Sequence, residues 1–192
     1  MQRIASILRL EGPRFDDTTI KRLDLVNVAN RNAGLLIEES NDLRLLLFAR
    51  AKTAAICAIE LRRLDEATSE ELSLTPNLRA AISIGPVLIG EKQVTGDAVE
   101  IAQNLASTLR PGDIFVSRSC REALGDQLPV DFEPLREEIS FGYRLVVDSN
   151  EILSAIRHEN PMAPDWSWRV TLPLIGMMIF ITLSWIWFNM PD

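Results

Sequence analysis

Histidine is nearly missing from this chain: among 192 residues there is only His158, in a proline-containing stretch that reads as a solvated linker. Cysteine is almost as rare, and Cys57 and Cys120 are far apart, with no CxxC or Cys/His spacing. A zinc site built from Cys and His is therefore excluded. So is a hydroxyl nucleophile with an imidazole base near Ser117-Arg118-Ser119-Cys120, which reads instead as a strand end leading into a helix cap. Both cysteines sit in helix-like apolar patterns, as small buried hydrophobes in a reduced, cytoplasmic setting. The chain also lacks a basic block or an Arg/aromatic stripe, and its net charge is −7, so nucleic acid is not an expected partner. The N-terminal apolar run is too short for a signal peptide, and neither an internal repeat nor a low-complexity tract is present.

What the chain does have is an apolar fraction of 47% and a charged fraction of 24%, as in an ordinary globular protein. Its length fits one domain plus an appendage. The appendage is read at the C-terminus, where residues 170–188 carry no charge. As a helix this run would be roughly 28 Å long, close to the hydrocarbon thickness of a bilayer. All four tryptophans flank it, Trp166 and Trp168 before and Trp185 and Trp187 at the far end, as in interfacial aromatic belts. Arg157 and Arg169 precede it and only Asn-Met-Pro-Asp follows, so the positive-inside bias predicts a cytoplasmic N-terminal part. The expected organisation is a globular domain over 1–150, a linker over 151–168, a transmembrane helix over 169–188 and a short extracytoplasmic tail over 189–192. That makes a single-pass, tail-anchored protein of the inner or plasma membrane, contacting lipid through 170–188.

Within the domain the patterning alternates. Ile4 to Leu10 is a predicted strand, Thr19 to Glu38 a helix, and Leu43 to Phe48 a strand after a turn at Ser40-Asn41. Lys52 to Glu66 is an amphipathic helix, and Arg79 to Ile89 a strand broken by Gly85-Pro86. Asp97 is read as the cap of a helix whose apolar positions include Val99, Ala102, Leu105 and Ala106, with Glu100, Gln103 and Asn104 turned away. A strand at Asp113 to Ser117, a short helix around Arg121 and two closing strands complete an α/β (α+β) sandwich with helices on one face of a sheet.

Three segments in order, L-R-A-A-I-S-I-G-P-V-L-I-G (78–90), G-D-A-V-E-I-A-Q-N-L-A (96–106) and P-G-D-I-F-V-S (111–117), resemble the C-terminal half of class III adenylate/guanylate cyclase catalytic domains. Upstream, N-D-L-R-L-L-L-F (41–48) resembles the family's G-D-G hairpin, and R-L-E-G-P (9–13) stands where its D-I-x-G-F signature would be. The resemblance spans roughly residues 1 to 147 and implies a ferredoxin-like βαββαβ core. It also implies an inventory: two aspartates holding two Mg²⁺ or Mn²⁺ ions, an asparagine on the ribose, an arginine on the phosphates, and a site shared between two subunits.

This chain departs from that inventory. The first metal position falls on Arg9 and the second on Asp42, either a vestigial ligand or a hairpin turn residue. The asparagine position holds Glu100 and the arginine position Asn104, while Gln93 is a loose candidate in a shortened base-recognition loop. A register shift bringing in Asp16 or Asp17 would restore a ligand, though that run also reads as a turn and cap. The leading expectation is a catalytically inactive, membrane-tethered cyclase-like module without a cofactor, acting as a homodimer, with a cyclase-like partner, or by binding a nucleotide or another signalling protein. The alternatives are an active but divergent cyclase, and an unrelated membrane-anchored adaptor.

Overall fold

The computed structural model describes residues 2–12, 22–40, 42–90, 94–108, 110–135 and 142–147. The predicted linker, membrane helix and tail, with Trp166, Trp168, Arg169, Trp185 and Trp187, lie outside the described residues, as do Gln93, Asp16, Asp17 and His158. Among the described residues no helix is long and apolar enough to cross a membrane.

The elements run β1 (Gln2–Glu11), α1 (Arg22–Arg31), β2 (Leu35–Glu39), β3 (Leu43–Phe48), α2 (Ala51–Glu71), β4 (Arg79–Ile89), β5 (Val94–Thr95), α3 (Asp97–Ser107), β6 (Ile114–Ser117), α4 (Arg118–Leu124), β7 (Asp131–Pro134) and β8 (Gly142–Val146). They build one sheet in the order β2-β3-β1-β4-β6-β8-β7, with β5 hairpinned onto β4. The first six elements form a βαββαβ unit whose strands lie in the order β2-β3-β1-β4, with β1 antiparallel to both neighbours. β6 joins parallel to β4, which makes the sheet mixed.

Alternation along β1 sorts its side chains to two faces. Leu8 lies between Leu46 and Ile82 in a row of fully buried side chains on one face. Phe48 shares this face and sits against the end of α1 at Gly34, where an added Cβ would meet its ring at 2.4 Å. α1 and α2 cover this side, and α2 buries Ala54, Ala55, Ala58, Ile59 and Leu61. On the opposite face Ala5, Ile7, Leu45 and Val87 pack with Ala98 and Ala102 of α3. Helices therefore lie on both faces, which corrects the one-sided expectation. The periodicity of the 97–107 segment showed that it buries one side but not against which face of the sheet.

Three local expectations also change. Residues 35–39 form an edge strand, not the end of a helix. The helix stops at Arg31, and Ala33 (φ 54°) turns the chain before Gly34. β4 is continuous through Gly85-Pro86, because between its pairings with β6 and β5 it has a ladder only on the β1 side, and a missing N–H is tolerated on the open side. The cap of α3 is Gly96 (φ 129°), and Asp97 makes no capping hydrogen bond. Ser117 does cap α4 as expected, its Oγ accepting from the Cys120 N–H at 3.1 Å.

Candidate functional site

Where α3 leaves the sheet uncovered, the C-terminal end of β1 and the starts of β3 and β4 border an open cavity of about 430 Å³. Its lining is Arg9, Glu11, Gly12, Asp42, Leu43 and Arg79. The register explains the grouping. Arg9 and Glu11 follow Ala5 and Ile7 at a period of two and so share their face. Glu11 lies directly between Leu43 of β3 and Arg79 of β4. The Gly12 N–H donates to the Asp42 carbonyl at 3.2 Å, closing the β1–β3 ladder and fixing Asp42 at the rim.

The cavity's charges pair unevenly. Arg9 Nε donates to Glu11 Oε1 at 2.7 Å, with the two side chains only 16% and 23% exposed. Arg79 is half-buried, and its Nε is buried with no hydrogen-bond partner among the described residues. Asp42 is exposed. A pair of divalent cations needs carboxylates free to ligate. Here one carboxylate is held by a guanidinium and two arginines line the same space, so this donor set does not fit such a pair.

Glu100 and Asn104 occupy successive turns of α3 and are exposed, as is Gln103. The helix holds them outward because Ala98, Ala102, Leu105 and Ala106 are fixed against the sheet. The structure thus brings Arg9 and Asp42 around one cavity, which Glu100 and Asn104 do not line. Glu100 also has a plain structural role, an acid in the first turn of a helix, favoured by the helix dipole.

Sequence reasoning missed Glu11 and Arg79 as cavity residues. Glu11 was within reach, two positions beyond Arg9 on the same strand face. Arg79 depends on the β1–β4 register, a pairing across 68 positions (79 − 11) that carries no local signal.

No protein-family model and no curated protein matches the sequence. Solved structures do. An adenylate/guanylate cyclase/hydrolase from Silicibacter pomeroyi superposes with a TM-score of 0.62 at 22% identity, covering 77% of this chain and 99% of that one. The guanylate cyclase domain of RhGC from Catenaria anguillulae, solved with GTP, gives 0.61 at 16% identity over 77% and 98% of the two chains. A dimeric guanylyl cyclase domain of a RhoGC fusion protein from Blastocladiella emersonii gives 0.62 at 16% over 77% and 98%. The described domain therefore has the mixed α/β fold of class III adenylate/guanylate cyclase catalytic domains.

Proposed function

We propose that this chain is a catalytically silent cyclase-like module, tethered to the membrane by residues 170–188 with the folded domain on the cytoplasmic side, and that it works by pairing. The observation that carries the reading is the Arg9–Glu11 ion pair in the cavity beside Asp42. On the resemblance, Arg9 replaces a metal ligand, and its guanidinium repels a divalent cation at short range. The exposed Glu100 stands where the family has a ribose-binding asparagine, and a carboxylate there repels triphosphate. Asn104 offers no charge to replace the phosphate-binding arginine. Pairing is supported by apolar groups left open on the α3 side of the sheet. Ile101 is 39% exposed, and Leu35, opposite Leu47 on that face, is 62% exposed. The partner is a second copy or a cyclase-like protein.

The full-length chain in mild detergent, incubated with Mn²⁺ and ATP or GTP, is expected to form no cyclic nucleotide. Turnover abolished by Asp42→Ala would instead favour the divergent active cyclase, for which the retained carboxylate at Asp42 is the supporting observation.

A further inference from the structure

We infer that the end of the domain opposite the cavity is a contact surface for an anionic lipid bilayer. The topology sorts charge to the two ends of the sheet. β1 begins where β4 ends, and at that same end α1 closes while α2 and α4 open. This end therefore gathers Arg3, Arg31, Arg50, Lys52 and Arg118, against the acids Asp97 and Glu122. Glu122 is taken by Arg118 at 3.0 Å, and Arg31 reaches Glu60, further along α2, at 3.7 Å. The other end holds Glu11, Glu39 and Asp42 near the cavity, and Glu70 and Glu71 at the close of α2. In a chain of net charge −7, a basic end is a product of arrangement and not of composition.

The same end leaves apolar side chains in water. Ile4 lies directly opposite Pro86, with Leu88 diagonal to it, and all three share the sheet face that α1 and α2 cover further along. Ile4 is 77% exposed and Leu88 51%; Pro86 is exposed too, and Ile84 continues the strip half-buried. The face is the one opposite Ile101 and Leu35, so the strip is separate from the groups assigned to pairing. Leu72 and Leu74 are also exposed, but they stand at the other end beside Glu70 and Glu71, which an anionic surface repels. Aliphatic side chains ringed by cations suit an anionic bilayer: the apolar groups enter the acyl boundary while the cations meet headgroup phosphates. A second copy presenting the same basic end would meet like charge instead. This inference rests on the membrane-tethered reading, which supplies the bilayer.

The test places an environment-sensitive fluorophore on Leu88→Cys, and separately on Leu72→Cys, in full-length Cys57→Ala/Cys120→Ala chains. These are reconstituted into vesicles of phosphatidylcholine alone or mixed equally with phosphatidylglycerol. Emission from position 88 should move to the blue in the mixed vesicles and return toward its value in water on adding salt. Position 72 should read as water in both. Arg50→Gln/Arg118→Gln should reduce the shift at position 88 at least twofold. If that variant does not fold, judged by its melting transition, the salt dependence carries the test. Retention by the vesicles through an alkaline wash reports the tether alone. If the chain washes off, the tether reading fails, and the same probes on chain mixed with vesicles still decide the contact. No shift at position 88, a shift equal in both lipids or at both positions, or one that appears in detergent as chain concentration rises would overturn the proposal.

Discussion

Asp65 shows how much one buried carboxylate can organise. It is 1% exposed on α2, and its Oδ2 accepts from the backbone N–H groups of Asn77 and Leu78 at 2.8 and 2.9 Å. These bonds fix the chain just before Arg79 enters β4 at the cavity. Asp65→Ala leaves both donors unpaired, the Leu78 N–H buried and the Asn77 N–H part-buried, which should cost roughly 2–3 kcal/mol. Urea unfolding checks this, with a lower midpoint and an unchanged slope expected. The two cysteines give a residue-scale prediction in pH. Burial pushes the Cys57 and Cys120 thiols up from 9.0 to about 12, with Glu60 adding to the rise at Cys57 and Arg31 opposing it. Each raised pKa means that the unfolded chain releases the thiol proton before the folded chain does. The stability they contribute is complete below pH 9 and lost as pH climbs toward 12. The unfolding midpoint should fall across that window, less steeply in Cys57→Ala/Cys120→Ala, and native thiols should label slowly at pH 8 but rapidly on unfolding.

At the scale of elements, α3 is placed by a backbone that only glycine tolerates. Gly96 has φ 129°, and a Cβ there would lie 2.7 Å from the Pro86 carbonyl oxygen. Gly96→Ala should therefore destabilise the domain by about 2–3 kcal/mol, read from the melting transition, and weaken any association that uses α3. The sequence showed α3's buried stripe, since helical spacing of small and apolar residues has one interpretation there. It did not show the switch from α1 to β2, because Leu35-Leu36-Ile37 is a short apolar run that fits either state and only Ala33-Gly34 marks the break. The Gly85-Pro86 pair looked like a breaker because a missing N–H matters only if a neighbouring strand needs it, and neighbours are a tertiary fact. The cavity was half legible for the same reason. Resemblance linked Arg9 with Asp42, but the register that sets Glu11 beside Arg79 is written in no local pattern.

For the whole molecule, the unit Met1–Ile152 carries a charged cavity and, apart from it, exposed apolar side chains. The cavity at the end of β1 gathers charge, while the outer side of α3 and the β2–β3 corner expose Ile101 and Leu35. If this second surface serves pairing, Ile101→Asp should shift the full-length chain in detergent toward monomer by sedimentation analysis, with its melting transition changed little because Ile101 is part-exposed. The central claim is that a cyclase fold persists here without the cyclase reaction. It is tested most directly by the initial rate of cyclic-nucleotide formation with Mn²⁺ and ATP or GTP, measured side by side for the unaltered chain and for Glu100→Asn/Asn104→Arg. Both should stay at the blank, because the double change leaves Arg9 where a metal ligand would be required. Product from the unaltered chain, lost in Asp42→Ala, would contradict the account.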